Sequence, residues 1–100
     1  MRFTVEIIDV HGVRQGEPWS HSRSGELLGQ ATAGTCCLRI LDPYGDAVFN
    51  QLQLPILLSE LAAFHASLPD GELVAVGETL DAFLRQALDR PHTYVRFLGD

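Results

Sequence analysis

Nucleophilic chemistry in this chain would have to come from Cys36, Cys37 or a serine of Ser20-His21-Ser22, and proton transfer from His11, His21, His65 or His92. A thiolate or alkoxide needs a base within hydrogen-bond reach and donors for the charge that develops on the substrate. Adjacent Ser and His residues do not supply this, because the groups must converge in space. The chain holds no G-x-S-x-G, P-loop or G-x-G-x-x-G pattern that would announce such a site. No histidine stands at metal-ligand spacing from another histidine or a cysteine, and Cys36-Cys37 lacks the C-x-x-C separation. The residues therefore designate no catalytic group, no metal ligand and no cofactor. His65 reads as an imidazole at the border of the core that helps a helix C-terminus electrostatically, and His92, after Pro91, as part of a helix stop.

Charge narrows the partners. Seven arginines and no lysine stand against thirteen acidic residues, for a formal net charge of −6. Nucleic-acid binding by phosphate neutralisation needs a clustered basic face, and the arginines are scattered from Arg2 to Arg96. No apolar run approaches the length of a membrane span, and Glu6 and Asp9 interrupt the start of the chain as a signal peptide would not be. A cytoplasmic protein that binds neither nucleic acid nor membrane is expected. As strand neighbours, Cys36 and Cys37 would point to opposite faces, one buried and one half-exposed, which disfavours a mutual disulfide.

The elements that must position these groups follow from periodicity. Phe3, Val5 and Ile7 alternate with Thr4 and Glu6, which predicts a first strand. Residues 11–35 lose the period and carry five glycines, three serines and Pro18. Within that long connection, 17–21 reads as a short edge strand and 25–30 as a helical turn. Cys36 to Asn50 reads as a β-hairpin: Asp42 opens the turn, Pro43 presets φ, and Gly45 takes the left-handed conformation of a bulge. Pro55 suits the first turn of a helix whose stripe is Leu57, Leu58, Leu61, Phe64, His65 and Leu68. A second helix follows from Leu73 to Arg90, weakened by Gly77, and 93–98 reads as a final strand. One domain spanning 1–100 is expected, of class α+β. Its antiparallel sheet comprises the first strand, the central hairpin and the C-terminal strand, with two consecutive helices on one face.

The hairpin register divides the side chains. Cys36, Leu38, Ile40 and Val48 fall toward the helices, whereas Glu6, Ile8, Cys37, Arg39, Leu41, Phe49, Tyr94, Arg96 and Leu98 fall on the opposite face. A one-residue slip would exchange the two. The second face is too apolar for an ordinary solvated surface and mixes arginine with aromatics, as interfaces do. Arg39, Phe49, Tyr94 and Arg96, with Tyr44 at the turn, are the candidate partner-binding residues. Arg39 and Arg96 would also suit a carboxylate or phosphate. The competing arrangement folds 11–35 over this face and pairs the arginines with Glu6 or other acids.

Asp42-Pro43-Tyr44-Gly45-Asp46-x-Val48-Phe49-Asn50-x-Leu52-Gln53 and the terminal Pro91-His92-x-Tyr94-Val95-Arg96-Phe97-x-Gly99-Asp100 resemble a group of small bacterial proteins of unknown function. The resemblance implies a bacterial cytosolic protein and transfers no catalytic residue. The expected function is non-catalytic: a homodimer, or an adaptor or immunity-type partner of another protein. The alternative is a small hydrolase or ligand-binding protein with a pocket between the sheet and residues 11–35.

Overall fold

The alternation of Phe3, Val5 and Ile7 forms β1 (Phe3–Ile8). In the computed structural model, which describes residues 2–29, 35–42 and 44–99, β1 pairs on one side with the edge strand β2 (Trp19–Ser20). On its other side runs β4 (Tyr94–Gly99), and β3 (Asp46–Phe49) adds to the far side of β4. The sheet is antiparallel throughout, in the order β2-β1-β4-β3. Three α-helices complete an α+β fold: α1 (Ser24–Gly29), α2 (Leu54–Ala66) and α3 (Gly71–Leu88). Pro55 lies in the first turn of α2, where its missing N–H costs nothing. Asp70 caps α3 by accepting from the N–H groups of Glu72 and Leu73 at 3.0 and 3.3 Å. Among the described residues no helix is long and apolar enough to cross a membrane.

One sheet face carries the core. Phe3, Val5, Ile7, Ala47, Phe49, Val95 and Phe97 pack with Leu57, Leu61, Leu73, Leu80 and Leu84 of the long helices. Phe49 and Phe97 meet edge to face, with ring centroids 5.6 Å apart and planes at 88°.

Side chains tie the described part of the glycine-rich connection to its surroundings. The Asp9 carboxylate accepts from His11 N–H at 2.8 Å and Val13 N–H at 3.0 Å, closing a turn in which Gly12 adopts a φ of +80°. Trp19 Nε1 donates to Thr79 Oγ1 of α3 at 3.1 Å, and Phe3 N–H donates to the buried Ser24 Oγ at 2.8 Å. Arg23 Nη2 reaches Asp70 at 2.9 Å. The edge strand and short helix expected at 17–21 and 25–30 are thus β2 and α1, although Gln30 and 31–34 lie outside the described residues. This segment runs along the β1 edge and the helical side, with α1 against α3 and β1.

The central hairpin does not form. Residues Leu38–Ile40 make a 3₁₀ turn in place of its first strand. Asp42 does open a turn, accepting from Tyr44 N–H on its side chain at 2.8 Å and from Gly45 N–H on its carbonyl at 3.2 Å. Gly45 is not among the positive-φ glycines, which are Gly12 and Gly16, and the Pro43 position lies outside the described residues. The physical cause sits on α2: the Glu60 carboxylate accepts from the N–H groups of Cys36, Cys37 and Leu38 at 2.6, 3.0 and 3.0 Å. Donors that would have faced a partner strand face a carboxylate. The register of β3 is consequently set by β4, with Val48 opposite Arg96 and Phe49 opposite Val95. That is the one-residue slip: Ala47 and Phe49 point into the core, and Val48 points out. Cys36, Leu38 and Ile40 share no face either, since Leu38 is buried while Cys36 and Ile40 are exposed.

Candidate interaction surface

The sheet face away from the helices is organised around one ion pair. Glu6 and Arg96 are cross-strand partners on β1 and β4, and Glu6 Oε1 accepts from Arg96 Nε at 3.0 Å and Nη2 at 2.7 Å. Arg14 approaches the other carboxylate oxygen at 3.8 Å. Ile8 opposes Tyr94 on β4 and is bridged on its other side by Arg14, which leaves it 5% exposed. On the other flank of the ion pair, Thr4 opposes Leu98 and Leu98 opposes Asp46. Val48, 49% exposed, stands beside Arg96. Apolar surface therefore surrounds a pair whose charges are already satisfied.

Two of the five expected partner-binding residues, Tyr94 and Arg96, share this face, two positions apart on β4. Phe49 does not; it is fully buried on the opposite face, for the register reason above. Tyr44 is exposed at the turn, whose Gly45 carbonyl accepts from Gly99 N–H at 2.8 Å, so it flanks the end of the face rather than lying on it. Arg39 projects from the 3₁₀ turn and is exposed. Arg39 and Arg96 thus do not combine into one anion site, and the donors of Arg96 are directed at Glu6. The competing arrangement is present in part: Arg96 pairs with Glu6, and the 11–35 segment reaches the Glu6 and Ile8 end of the face through Arg14, while Val48 is left exposed.

Groups suited to catalysis lie apart. His21 Nδ1 accepts from Arg23 N–H at 3.0 Å just before α1, and Ser20 Oγ accepts from Arg2 Nε at 3.2 Å on β2. The Cys37 thiol is buried beneath α2, donating weakly to the Gln53 carbonyl at 4.0 Å. Burial pushes it above the ordinary thiol value, with the Glu60 carboxylate adding to the effect, so it is a poor nucleophile at neutral pH. A groove of about 270 Å³ is lined by Asn50, Gln51, Leu52, His92, Thr93 and Tyr94, at the meeting of β3, α2 and β4 rather than between the sheet and 11–35. Most of its polar groups serve the fold. Asn50 Oδ1 accepts from the N–H groups of Leu52 and Gln53, both at 2.9 Å. Gln51 Nε2 donates to Ala87 O at 2.8 Å, Arg90 O at 3.1 Å and Thr93 Oγ1 at 3.0 Å, joining the end of α3 to β4. His92 turns the chain between them with a φ of 62°. Among the described residues no group of three or more His, Cys, Asp and Glu is placed to hold a metal ion.

Three side chains that organise the structure carry no local signature: Glu60, Gln51 and His65. His65 does not assist the end of α2 as expected, because its ring is turned against α3 and burial lowers its titration below the ordinary value. The signal for it was Gly77, a glycine inside a helical pattern where close approach is the usual cause. No protein-family model matches the chain, and neither a curated protein nor a solved structure matches it.

Proposed function

We propose that the chain is a non-catalytic interaction protein that pairs with a second copy of itself through the open face of its sheet. One observation carries this reading: half-exposed Val48 and the partly buried Tyr94 and Leu98 form an apolar surface around the closed Glu6–Arg96 pair. The face is also charge-balanced, with Arg14 and Arg96 set against Glu6 and Asp46, in a chain whose net charge is −6. Two copies meeting there avoid the like-charge repulsion that other surfaces would impose. A two-fold axis near Arg96 would bring the same patch together from both sides, as isologous dimers do. A cytoplasmic setting belongs to this reading, since exposed Cys36 is kept as a free thiol by a reducing compartment.

Size-exclusion chromatography with light scattering tests it directly, over a concentration series at neutral pH. The wild type is expected at dimer mass and the Val48→Glu variant at monomer mass with an unchanged circular-dichroism spectrum. A wild type that stays monomeric at every concentration overturns self-pairing.

A further inference from the structure

The imidazole of His65 is held between α2 and α3 in a seat that suits only its neutral form. Its Nε2 is sealed from solvent without a hydrogen-bond partner, and the ring lies against Gly77, where any Cβ would collide with it. One buried nitrogen of a neutral ring is tolerable; in the protonated ring the same nitrogen would carry an N–H sealed from solvent with no acceptor. The missing side chain at Gly77 is what creates the seat, at the expense of helix propensity in the middle of α3.

The charges that act on the ring belong to α3. Glu78 follows Gly77 and is exposed, and Asp81 lies one turn further on, where it accepts from Arg85 Nε at 2.7 Å. Both attract an imidazolium, yet burial outweighs them and keeps the seated ring neutral. Neither carboxylate hydrogen-bonds it where it sits. A protonated ring would be relieved of its burial by turning out toward Glu78 and Asp81.

We propose that His65 and Gly77 form a proton-operated latch, in which the seated neutral ring closes the α2–α3 seam and protonation expels it and loosens the last turns of α2. Phe64 and Leu68, on either side of His65 in sequence, are only partly buried against the core, so they are the apolar groups released when the latch opens. The direction of the pH effect follows from the lowered titration. The unfolded chain takes up the proton near the ordinary value of about 6.5, and the folded chain only below it. The latch is fully closed above that value and is lost as the pH falls through it toward the folded value.

Side-chain NMR titration and amide hydrogen exchange on the full chain decide the matter. His65 is expected to titrate below the ordinary imidazole value of about 6.5. Its neighbours on α2 and the facing turn of α3 should exchange about tenfold faster at pH 5.5 than at 7.5, after correction for intrinsic rates. Gly77→Ala, which fills the seat, should show the fast pattern already at pH 7.5. His65→Leu, which cannot ionise, should show slow exchange at both pH values, and it decides the question if Gly77→Ala does not fold. A His65 that titrates at or above the ordinary imidazole value of about 6.5 overturns the proposal, as does acid-accelerated exchange that persists in His65→Leu.

Discussion

Truncation of Phe49 and of its neighbour Val48 separates the two possible registers of β3. Phe49 is fully buried and stacks edge to face on Phe97 at 5.6 Å. Phe49→Ala removes most of a ring from a filled core and is expected to cost about 3–5 kcal/mol. That is a large share of the roughly 5–15 kcal/mol that holds a domain of this size together. At about 4–8 °C per kcal/mol for a domain near 100 residues, the midpoint of thermal unfolding should fall by roughly 12–40 °C. Val48 is 49% exposed on the other face, so Val48→Ala removes atoms already half in water and should cost under about 1 kcal/mol. Urea unfolding followed by the fluorescence of Trp19, itself buried at β2, gives both values on one scale, and Phe49→Leu should fall between them. If Val48→Ala costs as much as Phe49→Ala or more, the side chains of β3 face the other way and the inner and outer surfaces described above are exchanged.

Three further outcomes follow from the polar anchors. Glu60→Ala leaves the Cys36, Cys37 and Leu38 donors without their acceptor; it should cost about 1–3 kcal/mol in urea and speed alkylation of Cys37, which in the wild type should react far more slowly than exposed Cys36. Arg96→Met strands the nearly buried Glu6 carboxylate beside a more distant Arg14, whereas Glu6→Gln leaves Arg96 free to reach water; Arg96→Met should be the more destabilising, by about 1–2 kcal/mol, and a double-mutant cycle reads the coupling. Arg23 beside Asp70, with the Leu73 N–H, holds its carboxyl below the usual carboxylate value. The stability contributed by that cap is therefore present above the unfolded value near 3.9 and lost as pH falls below it, so Asp70→Asn should flatten the acid limb of the wild-type stability curve.

The elements with a strong local period are legible in the chain. β1 and β4 alternate, Pro55 marks the start of α2, and the α3 stripe runs from Leu73 to Leu84 as spaced. Asp42 also builds a turn, as its position suggests. The turn joins a 3₁₀ segment, rather than a strand, to β3. Ile40, Leu41, Val48 and Phe49 are all apolar enough to serve on either face, so alternation alone could not choose the register of β3. The choice came from β4, about fifty residues downstream, and from Glu60, whose carboxylate competes for the backbone donors of 36–38 across 22 to 24 positions. Of the expected surface, Tyr94 and Arg96 survive because β4 is a regular strand pinned on both sides; Phe49 was lost with the hairpin.

The loss of the hairpin also changes what β3 offers to a partner. Among the described residues β3 pairs only with β4 and forms an edge of the sheet, four residues long and headed by Asp46. Short length and a charge at the start are features that discourage edge-to-edge addition of another strand. The pairing proposed above would therefore use the face rather than the edge, where Val48 stands beside the closed Glu6–Arg96 pair. Because Glu6 neutralises Arg96 at no cost to a partner, apolar contact at Val48, Tyr94 and Leu98 would not have to desolvate an unpaired guanidinium. This gives the face test a sharper form: Glu6→Gln, which frees that guanidinium, should weaken self-pairing even though it leaves every apolar residue of the surface in place.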